Sequence, residues 1–168
     1  VTKVRITGGE PLVRRNALWL LREAGKLEGL QELVVTSNGS QLERYAAEMR
    51  EAGVKRVNIS LDTLRADRFK SITRVGELGK VLRGIDAAIA AGFAWLAAEF
   101  TVRANPGFVA RPDRHWYYWL YSLERACELA GIARLQGRDW YHEGALQLLA
   151  QQQSNGSFRT TGGDTLSI

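Results

Sequence analysis

Three short runs rich in β-branched residues, KVRIT, ELVVTS and KRVNISL, recur with centres about two dozen residues apart, each followed by a stretch of helical periodicity. Parallel strands need a crossover of roughly a dozen or more residues, usually a helix, so this spacing predicts βαβ units and a parallel sheet. The intervening stretches carry helix signals. Ser40 followed by Glu43 predicts a capping box, Leu42, Tyr45, Ala46 and Met49 make one apolar stripe, and Gly53 is placed to close that helix. Val81, Leu82, Ile85, Ala88 and Ile89 form a later stripe, expected to stop at Gly92. This part of the chain reads as α/β.

Composition changes abruptly near Phe93. All five lysines lie at or before Lys80, whereas four of five Trp and four of five Tyr lie beyond Phe93. Up to Gly92 there are 16 basic and 11 acidic residues; beyond it there are 7 of each. One continuous domain seldom segregates its residues in this way, so two modules are expected, residues 1–93 and 94–168. The second lacks strand–helix alternation. Asp113 is a candidate cap for a helix that turns Trp116, Leu120, Leu123 and Cys127 to a core and ends at Gly131. Asp139 can cap another, through Leu148 and Leu149 to a turn at Asn155-Gly156. That half reads as a helical hairpin.

Several function classes drop out. One cysteine, Cys127, excludes an internal disulfide and a cysteine-built metal site, and it fits a cytoplasmic setting. No run approaches the roughly 18 consecutive apolar residues of a membrane span, and nothing resembles a signal peptide. His115 and His142 read as surface groups at helix ends, not metal ligands. The net charge of +5 suits an anionic ligand. Bases alternate with acids along the helices, which argues for a solvated face and against nucleic acid. The chain opens at Val1, already close to a strand, so a fragment is the expectation.

The chemistry concentrates at strand ends. TGGEP closes the first strand, TSNG (Thr36 to Gly39) the second and SLD (Ser60 to Asp62) the third. In parallel α/β units ligands collect at the carboxyl ends of strands. Glycines let a ligand approach the backbone, and a carboxylate such as Glu10 can accept hydrogen bonds from an ammonium group. Lys3 and Arg5 share one strand face by the period of two, and inward charge in a barrel calls for an anionic partner. Taken singly, these motifs are turns and helix caps. Three polar strand ends in register favour a site.

KVRITGGEPLVRR, TSNGSQL, RVNISLDTL, RFKSITR and VLRGIDAAIAAGF together resemble the MoaA-type radical S-adenosylmethionine family of GTP 3′,8-cyclases, from molybdenum-cofactor biosynthesis. The resemblance covers residues 1 to about 93 and implies strands two to four of a partial TIM-type (β/α) barrel. It implies that Gly9, Glu10, Thr36 and Ser60 line the S-adenosylmethionine pocket and that Lys3 and Arg5 meet the triphosphate of GTP. It also implies a 4Fe–4S cluster held by a loop of closely spaced cysteines, a segment placed before Val1. The lone Cys127 cannot replace it, because such clusters need three or four thiolates.

From about Trp95 the strings WYYWLYSLERACELAGI and GRDWYHEGALQLLAQQQSNGSF, with the closing DTLSI, resemble squalene-cyclase-like α/α-toroid proteins. The spacing of Gly144, Gln151 and Gly156-Ser157-Phe158 is similar to a terpene-cyclase repeat, with Phe where Trp is usual; no Asp-rich motif accompanies Asp164. The leading reading is a fusion of two fragments, with no catalytic residue or metal site of its own and no turnover. Two alternatives stay open: a non-catalytic module that binds nucleotide or S-adenosylmethionine, and an interaction scaffold built on the aromatic helical half.

Overall fold

The computed structural model describes residues 1–107 and 115–158. The chain forms two compact units, Val1–Ala94 and Trp95–Ile168. In the first, β1 (Lys3–Ile6), β2 (Glu32–Ser37) and β3 (Val54–Ile59) form a parallel sheet in the order β1-β2-β3. The helices are α1 (Ala17–Gly25), α2 (Leu42–Glu51), α3 (Ala66–Thr73) and α4 (Leu78–Ala98). The α/β alternation expected from the three β-branched runs is present.

Strand periodicity sorts the sheet into two faces. Val4, Ile6, Leu33, Val35, Val57 and Ile59 pack with Leu21 of α1 and with Leu42 and Met49 of α2. Fully burying such a side chain, as at Leu33 and Val35, stabilises by about 1.5–3 kcal/mol; Val4, Ile6, Val57 and Ile59 are partly buried. The stripe expected on α2 is the buried one, and Gly53, at φ +87°, turns the chain out of the helix toward β3. The capping box does not form. The Asn38 side chain accepts from the Ser40 amide (2.9 Å) and the Leu42 amide donates to the Gly39 carbonyl (3.2 Å), so the loop makes its own turn. The helix therefore starts one residue late, at Leu42, with Gln41 as an N-cap that makes no side-chain bond. Glu43 instead pairs with Arg83 of α4 at 3.0 Å.

The second difference lies in α4, which runs through Gly92 to Ala98. A mid-helix glycine costs only about 1 kcal/mol, and the nearby Ala90, Ala91 and Ala94 are the best helix formers known. The boundary between the two units falls within this helix. By length and composition α4 could cross a membrane, unlike the expectation from the sequence. Its first half seats on the α/β unit, where Val81 is buried and a Cβ on Gly84 would lie 2.3 Å from the Gly39 carbonyl oxygen, while most of its apolar stretch is not buried.

In the second unit, α5 (Trp116–Ala130) and α6 (Trp140–Gln151) pack as a pair. Trp116, Leu120, Leu123 and Cys127 are buried, as the helical spacing predicts. The indole N–H groups of Trp116, Trp119 and Trp140 donate to the carbonyls of Val102 (2.8 Å), Thr101 (2.8 Å) and Ile132 (2.6 Å). Gly131 ends α5 at φ +64°, and Asp139 caps α6 by accepting from the His142 amide at 2.9 Å. Asp113 and Asp164 lie outside the described residues.

Gly84→Ala is expected to destabilise the α/β unit by about 1–3 kcal/mol, because the new methyl meets backbone that cannot retreat. Urea unfolding followed by hydrogen exchange in β2 checks this. Unchanged stability would show that α4 does not seat on the Gly39 loop.

Candidate functional site

The chain leaves β1 through Gly8 at φ +97° and Gly9 at φ +50°, a left-handed pair that side-chain-bearing residues rarely adopt. Nothing lies within 4 Å of where a Cβ would stand on either residue. Among the described residues no hydrogen bond engages their peptide groups. Open space therefore borders a free stretch of backbone at the end of the strand.

Glu10 fixes that stretch. Its carboxylate accepts from the Leu12 amide (3.0 Å), where it caps the 3₁₀ turn Pro11–Val13. It also accepts from the Ser37 hydroxyl (3.0 and 3.1 Å to its two oxygens) and the Asn38 amide (2.6 Å). A carboxylate has about four acceptor positions, so these bonds use most of its capacity. Glu10 is thus a brace between the ends of β1 and β2. Ser37, buried and also accepting from the Gly39 amide at 3.0 Å, is its anchor. The sequence reading picked Thr36 from TSNG and missed Ser37. The period of two held the signal, since Ser37 points to the packed face.

Thr36 points the other way. Its hydroxyl oxygen is buried without a hydrogen-bond partner. Ser60 is exposed, and its amide donates to the Ser37 carbonyl at 2.9 Å, which brings the third strand end to the same rim. Gly9, Glu10, Thr36 and Ser60 therefore gather at one end of the sheet. An orphaned hydroxyl, glycine peptides without hydrogen-bond partners among the described residues and adjoining open space fit a polar ligand.

Lys3 and Arg5 lie lower on the same open face, opposite Glu32 and Val34 in register. Lys3 Nζ is 2.6 Å from Glu32 Oε2, and Arg56 Nη2 is 2.9 Å from Glu32 Oε1, the latter without hydrogen-bond alignment. The hydrogen bond from Lys3, aided by the charges of Arg56, Lys3 and Arg5, holds the Glu32 carboxyl below its ordinary value of 4.5. Neither Glu32 nor Arg56 was singled out from the sequence, because their meeting depends on strand register.

A 4Fe–4S cluster does not fit these residues. Cys127 is fully buried in α5, and burial, then the charge of Glu128, pushes its thiol up, away from the thiolate that ligates iron. Among the described residues no group of three or more His, Cys, Asp and Glu could hold a metal.

The lowered carboxyl has a pH consequence. Glu32 contributes stability above 4.5 and loses it as pH falls through the lower folded value, since the unfolded chain then binds the proton more readily. An NMR titration of the Glu32 carboxyl carbon is expected to give a midpoint below 4.5, rising toward 4.5 in Lys3→Ala. A midpoint indifferent to Lys3 would contradict the pairing.

Residues 1–97 match the family model of the radical SAM superfamily. A protein of Sinorhizobium medicae named GTP 3′,8-cyclase is 61% identical over 95 residues, 55% of this chain and 27% of its own length. One of Geobacter sulfurreducens with the same name is 58% identical over 93 residues, 55% of this chain and 28% of its own. A third, of Saccharophagus degradans, is 41% identical over 139 residues, 83% of this chain and 38% of its own. The chain spans well under half the length of these relatives. The family model covers more than half of the chain, which belongs to the radical SAM superfamily.

Proposed function

We propose that residues 1–94 are the part of a GTP 3′,8-cyclase that receives S-adenosylmethionine at the strand ends and GTP on the open sheet face. The observation that carries the reading is the rim itself. Three polar strand ends meet, the first two through Glu10 and the third through the Ser60 amide on the Ser37 carbonyl, with the partnerless Thr36 hydroxyl on the sheet face that carries Lys3 and Arg5. In this reading Gly9, Glu10, Thr36 and Ser60 hold S-adenosylmethionine, with the glycine peptides and the spare acceptor position of Glu10 directed at its polar groups. Lys3 and Arg5 hold the triphosphate. When bound and reduced by an iron–sulfur cluster, S-adenosylmethionine supplies the radical chemistry of the superfamily. These residues contain no set of cluster ligands, so the chain by itself binds without turnover.

Elsewhere, several basic residues pair with acids: Arg22 with Glu48, Lys26 with Glu23, Arg65 with Asp67, Lys80 with Glu77 and Arg83 with Glu43. That pairing supports a small anionic ligand over nucleic acid, and a cytoplasmic setting goes with the reading. The toroid-like reading of the helical unit, and the fusion it implies, rest on sequence strings. Against the fusion stands the alignment with the Saccharophagus degradans cyclase, which covers 83% of this chain and so runs past the end of the family match. Genomic DNA read across codons 90 to 97 separates a natural junction from a joined one. A scaffold role has the exposed Tyr118, Tyr121 and Tyr141 in its favour.

Calorimetry on this chain is expected to show GTP binding that weakens with salt and is lost in Arg5→Ala. Equal binding by the variant would reject the phosphate site. Anaerobic reconstitution with iron and sulfide is expected to leave no stoichiometric cluster signal in electron paramagnetic resonance. A full signal would reject the reading of the chain as lacking cluster ligands.

A further inference from the structure

The open face of the sheet is layered in register. Lys3 stands opposite Glu32, Arg5 opposite Val34, and Val34 in turn opposite Arg56, followed by Thr36 opposite Asn58. The placement of Arg56 is not what uniform pairing would give. Leu33 pairs with Val54, so an unbroken ladder would set Lys55 beside Val34; an irregularity between Leu33 and Val34 sets Arg56 there instead. Such a slip reverses which side chains reach a given face. It brings an arginine of β3 to the face that already carries Lys3 and Arg5.

Three cations then share one carboxylate. Each oxygen of Glu32 takes a different partner, Lys3 at 2.6 Å and Arg56 at 2.9 Å, while Arg5 acts on it only through its charge and forms no ion pair among the described residues. The partners stay accessible: the Lys3 and Arg56 side chains are 47% and 58% exposed, against 24% for Glu32. Between the two arginines Val34 is wholly buried, an apolar floor to the cluster. Charges above such a floor interact more strongly than in open water. Two oxygens of a tetrahedral phosphate present to Arg an edge much like that of a carboxylate, and the group offers Lys more charge.

From this geometry we infer that Arg56 is a third phosphate-binding cation and that Glu32 is the built-in counter-ion a polyphosphate displaces. Glu32 keeps Lys3 and Arg56 gathered on the face in the absence of ligand, and it opposes the bound anion by its own charge. The inference rests on the reading of this face as a nucleotide-phosphate site and adds two residues to it. Lys3 and Arg56 are positioned by Glu32; it touches no phosphate itself.

The test is calorimetry of the full chain with inorganic tripolyphosphate at low and moderate salt. Glu32→Gln, isosteric and without the charge, is expected to tighten binding about fivefold and steepen its salt dependence. Arg56→Ala is expected to weaken it about fivefold. Tightening cannot come from a damaged fold, so Glu32→Gln separates a counter-ion from a structural residue. Arg56→Ala, on the outer strand, tests the same arrangement should the Gln variant fold poorly. Unchanged or weaker binding in a folded Glu32→Gln variant, or unchanged binding in Arg56→Ala, overturns the inference. If Arg5→Ala abolishes binding while both other variants match the parent chain, the inference alone fails. If the parent chain binds no tripolyphosphate, the phosphate-site reading fails and takes the inference with it.

Discussion

The carboxylate of Glu10 is the interaction on which the strand-end architecture depends. It grips the loop after β2 through the Ser37 hydroxyl and Asn38 amide, and the turn after β1 through the Leu12 amide. Hydrogen bonds to a charged group contribute roughly 1.5–3 kcal/mol each, enough to hold two loops that would otherwise move separately. The same β2 loop is clasped from the other side, where Gly84 of α4 sits against the Gly39 carbonyl and Val81 against Gly39 itself. Carboxylate on one side and helix on the other leave residues 37–39 little freedom. The Thr36 hydroxyl and the Gly8-Gly9 backbone are presented by that fixed frame.

A purely parallel sheet is usually covered on both faces. Here one face is an ordinary apolar core, and the other carries Lys3, Arg5, Glu32 and Arg56 above Val34. A charged face on such a sheet is what the interior of a partial barrel needs if its ligand is an anion. Ion pairs at this degree of exposure add little stability, which is the reason the proposed reading gives this face to a bound anion. The rim and the face thus differ in character: a carboxylate and hydrogen-bonding groups at the strand ends, net positive charge below them.

The features legible in the sequence are the local ones. The β-branched runs, Gly53 and Gly131 as helix ends, and the Asp139 cap are set by neighbours a few residues away, and they stand where the pattern puts them. Lys3 and Arg5 fall on one face because the strand period is two. Gly92 misled because helix propensity is summed over a segment, and one glycine among alanines does not stop a helix. Ser40 and Glu43 misled because Asn38 supplies a competing local hydrogen bond and Arg83 a competing partner from α4. The strand period places Ser37 on the packed face, but its contact with Glu10 is tertiary and leaves no local trace. Glu32 and Arg56 owe their meeting to strand register, irregular at β3, which leaves none either.

Amide chemical-shift mapping with S-adenosylmethionine tests the central claim, that Glu10 frames a ligand site at the strand ends. In the parent chain the account predicts shifts at Gly8, Gly9, Thr36 and Ser60, with Lys3 and Arg5 little affected. In Glu10→Ala, those ligand-induced shifts should vanish together with the hydrogen-exchange protection of the Asn38 amide. Shifts confined to other surfaces, or an unchanged response without the Glu10 carboxylate, would contradict it.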